Sequence, residues 1–228
     1  MPKRSKRYQA LVSKIKSDTA YPIAEAVALV KQTANTKFDS AVEAHIRLGI
    51  DTSKGDQQIR GTVSLPHGTG RTKRIAAFVS QEKEKEAQQA GADVVGGDEL
   101  IQSIKGSAKI DFDIAIATPD MMPKLAVIAK TLGPIGLMPS PKNETITTNL
   151  AKTIGELKKG KVNYKNDTTG NIHQVIGRAS FTDGQLKENF EKLLESVRKA
   201  KPATSKGDYI KNITLTSTMG PGIRVTPN

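Results

Sequence analysis

The chain contains no cysteine and no tryptophan, and aromatic residues make up only 4% of its 228 positions. Without cysteine there can be no disulfide, no thiolate metal site and no cysteine nucleophile. The scarcity of rings argues against a reader of single strands, which stacks bases on exposed aromatic platforms. No stretch approaches the roughly 18 apolar residues that a membrane span requires. The charged start, residues 1–7, is not followed by the apolar run of a secretory signal. A cytoplasmic protein with no membrane partner is expected. Histidine is also rare: His45, His67 and His173 are the only three, and no two fall at helical spacing. Neither a metal site nor a catalytic histidine is expected, and no cofactor.

What the chain has in excess is positive charge. Thirty-five Lys and Arg stand against 23 Asp and Glu, for a net charge of +12. Such a balance points to a polyanion, with phosphate backbone the usual candidate. The charge is uneven. Residues 68–160 hold 13 basic and 11 acidic side chains, a net of +2, which leaves +10 for the two outer segments. Lys3, Arg4, Lys6 and Arg7 form a basic arm at the start, able to order against phosphates.

Two kinds of pattern follow one another. In the outer segments Val42, Ala44, Ile46, Leu48 and Ile50 alternate with Glu43, His45, Arg47 and Gly49, as in a half-buried strand. Residues 59–65, 175–181 and 209–216 are read as further strands. Leu186, Phe190, Leu193, Leu194 and Val197 mark an amphipathic helix, with Thr182 and Gln185 at capping-box spacing. Another helix carries Ile23, Ala26, Val27 and Val30, with Pro22 near its first turn. In the middle, residues 74–80 and 113–118 are nearly continuous apolar runs, typical of strands buried on both faces. Helical stretches at 81–90, 98–105 and 122–132 alternate with them, and a last helix runs from Ile146 to Leu157. The expected fold is α/β throughout. It comprises an α+β discontinuous domain with an antiparallel sheet (1–67 and 161–228) and an inserted Rossmann-like three-layer domain with a parallel sheet (68–160).

Gly68-Thr69-Gly70-Arg71 precedes a strand instead of linking strand to helix, so it reads as a hinge and not as a phosphate loop. Thr118 and Asp120 lie at a strand end, where ligands favour binding, but Asp120 is more simply a helix cap. Two glycine-proline segments, residues 131–142 and 214–225, are more informative. In the second, a run of hydroxyls ends in Met219-Gly220-Pro221-Gly222. Hydroxyls can exchange hydrogen bonds with phosphates and ribose 2′-hydroxyls, and glycine permits close backbone approach. A threonine-rich edge strand ending in a turn would look the same.

With residues 1–8, Lys37-Phe38-Asp39, 48–51, 60–68, 90–97, 132–142, Asn166-Asp167 and 216–220, in that order and spacing, the chain resembles the bacterial ribosomal protein L-one family. That is the family of the first-numbered protein of the large subunit. The resemblance implies a non-enzymatic two-domain protein, monomeric when free, that binds the large-subunit rRNA of the mobile stalk beside the exit site. It also implies exit-site tRNA and the protein's own operon mRNA as partners, with translation of that mRNA repressed. The RNA contacts it implies are Lys37, Phe38, Thr216, Ser217, Thr218, Met219 and Gly220. Lys165, Asn166 and Asp167, and the arm residues Arg4, Lys6 and Arg7, are expected nearby. Ile135 replaces a usual arginine, Ser140 a usual asparagine and Thr168 a usual lysine. The first two weaken any RNA contact from the inserted domain, and the third removes one charge beside the main site. Two other classes remain to be weighed, an α/β nucleotide enzyme and a nonspecific basic packing protein.

Overall fold

The computed structural model describes residues 4–16, 19–107, 110–205 and 207–226, so Lys3 of the basic arm lies outside the described residues. The chain begins with helices α1 (Lys6–Val12) and α2 (Ile23–Thr33), then strands β1 (Ala41–Leu48) and β2 (Arg60–Ser64). There follow β3 (Ile75–Phe78), α3 (Gln81–Gln89), β4 (Val94–Gly96), α4 (Asp98–Ser107) and β5 (Ile114–Ala117). After two one-turn helices, α5 (Met122–Leu125) and α6 (Ala129–Leu132), comes α7 (Leu150–Lys158). The chain closes with β6 (Lys161–Lys165), β7 (Asn171–Arg178), α8 (Asp183–Lys199), β8 (Ile210–Ser217) and β9 (Ile223–Val225). It divides into two compact units, one of Met1–Gly70 with Val162–Asn228, the other of Arg71–Lys161.

The outer unit carries a four-stranded sheet in the order β7-β1-β8-β9 and a separate β2-β6 pair. β1 is antiparallel to both β7 and β8, and β8 to β9. Alternation in β1 does what the pattern requires: Val42, Ala44, Ile46 and Leu48 are buried, while Glu43, His45 and Arg47 turn the other way. The buried set packs with Ala26, Val27 and Val30 of α2 and with Leu186, Phe190, Leu193 and Val197 of α8. Burying each large side chain is worth roughly 1.5–3 kcal/mol. The expected capping box is present: Thr182 Oγ1 accepts from Gln185 N–H, and the Gln185 side chain accepts from Thr182 N–H. One face of the sheet is thus covered by helices, and mostly polar residues, with Val175 among them, occupy the other.

The inserted unit is a three-layer sandwich on the parallel sheet β4-β3-β5. Alternate residues of β3 serve opposite layers. Ile75 and Ala77 pack with Leu150, Ile154 and Leu157 of α7, whereas Ala76 and Phe78 pack with Ile101 and Ile104 of α4.

Several elements differ from the sequence reading, which did not foresee β4, β6 or β9 and carried the strand of β7 on to residue 181. The helix expected over 122–132 is broken by a 3-10 turn at Ala126–Ile128, where Ile128 leaves helical backbone at φ −103°, ψ 9°. Ile146 does not join the last helix; it bridges Ala117 in parallel, and Asn149 caps α7 by accepting from Lys152 N–H. Gly68 and Gly70 belong with the outer unit, not the inserted one. Both have positive φ, Gly68 O accepts from Asn189 Nδ2, and a Cβ on Gly70 would lie 2.6 Å from Arg178 Cγ.

Candidate nucleic-acid interface

Residues 37–40 lead directly into β1, and residues 216–220 cover the end of β8 and the turn after it. Antiparallel pairing of these strands brings the two segments together, with Val42 opposite Ser217 and Glu43 opposite Thr216. The junction is closed by backbone and hydroxyl. Thr218 N–H donates to Ala41 O at 2.9 Å, and Ala41 N–H donates to Thr218 Oγ1 at 3.1 Å. Gly220 N–H donates to Ser217 O at 2.8 Å, making a tight turn with Met219 at its tip. Met219 has φ +65°, left-handed backbone that costs a side-chain-bearing residue roughly 1 kcal/mol or more. The turn holds it nonetheless, and its side chain is 66% exposed. Phe38, on the neighbouring segment, is 55% exposed, and Lys37 beside it is also exposed.

The basic arm reaches the same place. From Lys6 onward it is helical, capped by Ser5 Oγ, which accepts from Tyr8 N–H, and the Arg4 guanidinium sits over the Tyr8 ring. Arg7 donates to Asn35 Oδ1 at 2.8 Å and to Met219 O at 3.0 Å. Arg4, Lys6 and Arg7, Lys37 and Phe38, and the 216–220 turn therefore occupy one end of the sheet.

Not every expected contact residue has a free side chain. Ser217 is 1% exposed, its Oγ without a hydrogen-bond partner, and a Cβ on Gly220 would come within 2.3 Å of that oxygen. Thr216 Oγ1 is directed at the carbonyls of Ser217, Gly220 and Pro221. These residues, with Thr218, build the turn; Met219 and Phe38 are what it presents. If strain at Met219 is held for presentation, Met219→Gly stabilises the chain by about 1 kcal/mol in urea denaturation. The same variant binds its ligand more weakly.

Lys165, Asn166 and Asp167 are not beside that end. The register places Asn171 opposite Arg47, so the 166–171 loop sits at the far end of β1. The five residue steps from Val42 to Arg47 separate the two ends by about 17 Å. Asn166 is buried, with Oδ1 accepting from Ile59 N–H at 2.6 Å, and its place is structural. Asp167 accepts from the N–H groups of Asn171 and Thr169 and from Thr169 Oγ1. Those bonds, the Asn171 N–H first, hold its carboxyl far below the ordinary carboxylate range. A depressed carboxylate stabilises the fold above its unfolded value of 3.8 and loses that contribution as pH falls below it. Asp167→Asn therefore lowers the melting temperature at neutral pH, and the gap to wild type closes as the pH falls below the ordinary carboxylate range.

Between the two ends lies the uncovered sheet face. It carries Glu43, His45 and Arg47 on β1, His173 on β7, Thr214 and Thr216 on β8, and Arg224 on β9. Sequence reading missed His45 and His173 as a pair, because 128 residues separate two rings that are direct cross-strand partners.

The inserted unit offers a cleft of about 800 Å³ at the C-terminal ends of its parallel strands. Glu82, Glu84, Asp98 and Glu99 line it, and its one cation, Lys124, is bonded to Asp98 at 2.7 Å. Such a rim repels phosphate. Thr118 is buried at the end of β5, and Asp120, expected to cap a helix, instead lies within the 3-10 turn Pro119–Met121. Among the described residues no group of three or more His, Cys, Asp or Glu is placed to hold a metal ion. None of the described helices is long and apolar enough to cross a membrane.

Residues 30–221 match the model of the "Ribosomal protein L1p/L10e family". The chain belongs to that family. Its members are structural and not enzymatic, which removes the nucleotide-enzyme alternative. A "Large ribosomal subunit protein uL1" of Mycoplasma capricolum is 54% identical over 99% of both chains. The proteins of that name from Mycolicibacterium paratuberculosis and Rhodococcus erythropolis are 51% and 50% identical over the whole of this chain, covering 97% and 95% of theirs. The matched span includes Phe38, the β1, β7 and β8 strands of the open face and the 216–220 turn, and leaves out the arm and β9.

Proposed function

We propose that this protein is a structural constituent of the large ribosomal subunit that binds the rRNA of the mobile stalk through the open sheet face of its outer unit. It works in the cytoplasm, on the ribosome, where it assists release of deacylated tRNA from the exit site. By binding a similar RNA fold in its own operon mRNA it represses that mRNA's translation. The family and its relatives' names support the ribosomal role. The observation that carries the RNA surface is the Ala41–Thr218 junction. It brings the segments that carry an exposed phenylalanine and an exposed methionine to the same end of the sheet and draws in the arm through Arg7. Exposed apolar groups framed by cations suit unstacked bases and ribose edges of a folded RNA, with phosphates reached by Lys37, Arg4 and Lys6. The two domains of the sequence reading correspond to a division of labour: the outer one binds, and the inserted one, weakly charged and acid-rimmed, makes at most minor RNA contacts.

The test is competition binding of the full chain to a stalk rRNA fragment, against an unrelated duplex and against tRNA. Shape-specific recognition gives a preference of at least about a hundredfold for the stalk fragment over the duplex. Equal affinity for both would make the protein a nonspecific basic binder.

A further inference from the structure

His45 and His173 are half-exposed cross-strand partners near the centre of the open face, with their Nδ1 atoms 2.7 Å apart. At that separation the two nitrogens cannot both carry a proton, nor both present a lone pair without repulsion. One N–H donates and the other nitrogen accepts. The outer nitrogens lie near carboxylates: His45 Nε2 is 3.8 Å from Glu43 Oε2, and His173 Nε2 is 3.5 Å from Asp167 Oδ2. Four ionisable groups thus form a row, Glu43–His45–His173–Asp167, across the strands. A neutral pair holds two ring protons, one of them between the Nδ1 atoms. A third can be added at an outer nitrogen beside its carboxylate. A fourth would force a second proton into the shared position. While the geometry lasts, the pair takes up one proton and acts as one titrating unit.

Other charges face the pair from the neighbouring strands. Arg47 lies two residues along β1, and Arg224 on β9 stands opposite Thr214, which is itself opposite His45 on β8. The β8 partners of the open-face residues of β1 are the uncharged Asn212, Thr214 and Thr216, and the helices on the far side meet an apolar layer. Any RNA that spans both ends of β1 must pass over these rings.

Resting on the reading of this face as the RNA surface, we propose that the His45–His173 pair is an additional RNA contact that engages the phosphodiester backbone after the pair takes up one further proton. Burial, and then the neighbouring His173, push His45 below its ordinary value, with Glu43 partly offsetting them. The cation is thus disfavoured at His45 in the free protein, and an approaching phosphate shifts the balance toward it. Linkage fixes the sign: a ligand that raises proton affinity binds more tightly as pH falls. For one proton the steepest change is about tenfold per pH unit.

The experiment measures affinity of the full chain for the stalk rRNA fragment between about pH 8 and pH 5.5, at constant ionic strength, on wild type and His45→Gln/His173→Gln. Wild type should tighten severalfold or more as pH falls, and the double variant should show a flat profile relative to its own value at the upper end. His67, paired with Glu188 at 2.7 Å, stays in both proteins as an internal control. A slope kept by the double variant, or absent from wild type, overturns the proposal. Ring-nitrogen NMR of the RNA-free wild type needs no variant to fold. It should show both rings moving together in one proton step, and two independent full protonations would overturn the one-proton uptake of the pair. Failure to prefer the stalk fragment at any pH would instead overturn the RNA surface itself, and this inference with it.

Discussion

Phe38→Ala combined with Met219→Ala should weaken binding to the stalk rRNA by about tenfold to a hundredfold and leave stability nearly unchanged. Both side chains are more than half exposed, so little core contact is lost. Truncating a residue that stacks on a base costs about 1–3 kcal/mol, and 1.4 kcal/mol is a factor of ten. Neither residue is charged, so the salt dependence of binding should stay as in wild type. Affinity for an unrelated duplex should also hold. Thr218→Val is a poorer probe, although the hydroxyl lies in the same turn. Its Oγ1 already accepts from Ala41 N–H, and removing it unpicks the β1–β8 junction. Its effect on RNA should be accompanied by a lower melting temperature. Equal losses on stalk and duplex RNA from the Phe38/Met219 variant would mean that these side chains do not confer specificity.

Asn189→Leu should cost about 3–5 kcal/mol, a large share of the roughly 5–15 kcal/mol that holds a typical domain together. Asn189 is fully buried among the apolar residues of α8. Its Oδ1 accepts from His67 N–H at 3.1 Å, and its Nδ2 donates to Gly68 O at 2.9 Å and Ile176 O at 2.7 Å. Leucine would fill much of the space but leave an N–H and two carbonyls without partners. The urea midpoint should fall with the slope unchanged, and the His67 amide should exchange faster. A loss below about 1 kcal/mol would mean that water or a rearranged loop replaces all three bonds.

Much of this fold was legible from period alone. β1 alternates over its whole length, α8 has both its apolar stripe and its capping box, and the buried runs of β3 and β5 announced a parallel sheet. Asn189 could have been noticed too. It sits three residues after Leu186 and one before Phe190, on the stripe that faces the core, where an amide is out of place unless it is bonded. Other features depend on partners that no local pattern names. β4 has only three residues, and β6 exists because β2 pairs with it. The 2.7 Å contact between His45 and His173 depends on the register of β1 with β7. Register also separates Asp167 from Met219, which a list of motif residues had placed together. The motifs singled out candidate residues for the interface but not their roles. Packing assigns those, with Ser217, Thr218 and Asn166 holding the frame while Phe38, Lys37 and Met219 stand out from it.

The most direct test of the RNA surface is a residue-by-residue map of the full chain with and without the stalk rRNA fragment, read from backbone amide shifts and hydrogen exchange. Binding through the open face should perturb residues 36–40, the 216–220 turn, and His45 and His173, and leave the amides of Arg71–Lys161 largely unmoved. Perturbations concentrated in Arg71–Lys161, with residues 36–40 and 216–220 silent, would contradict it.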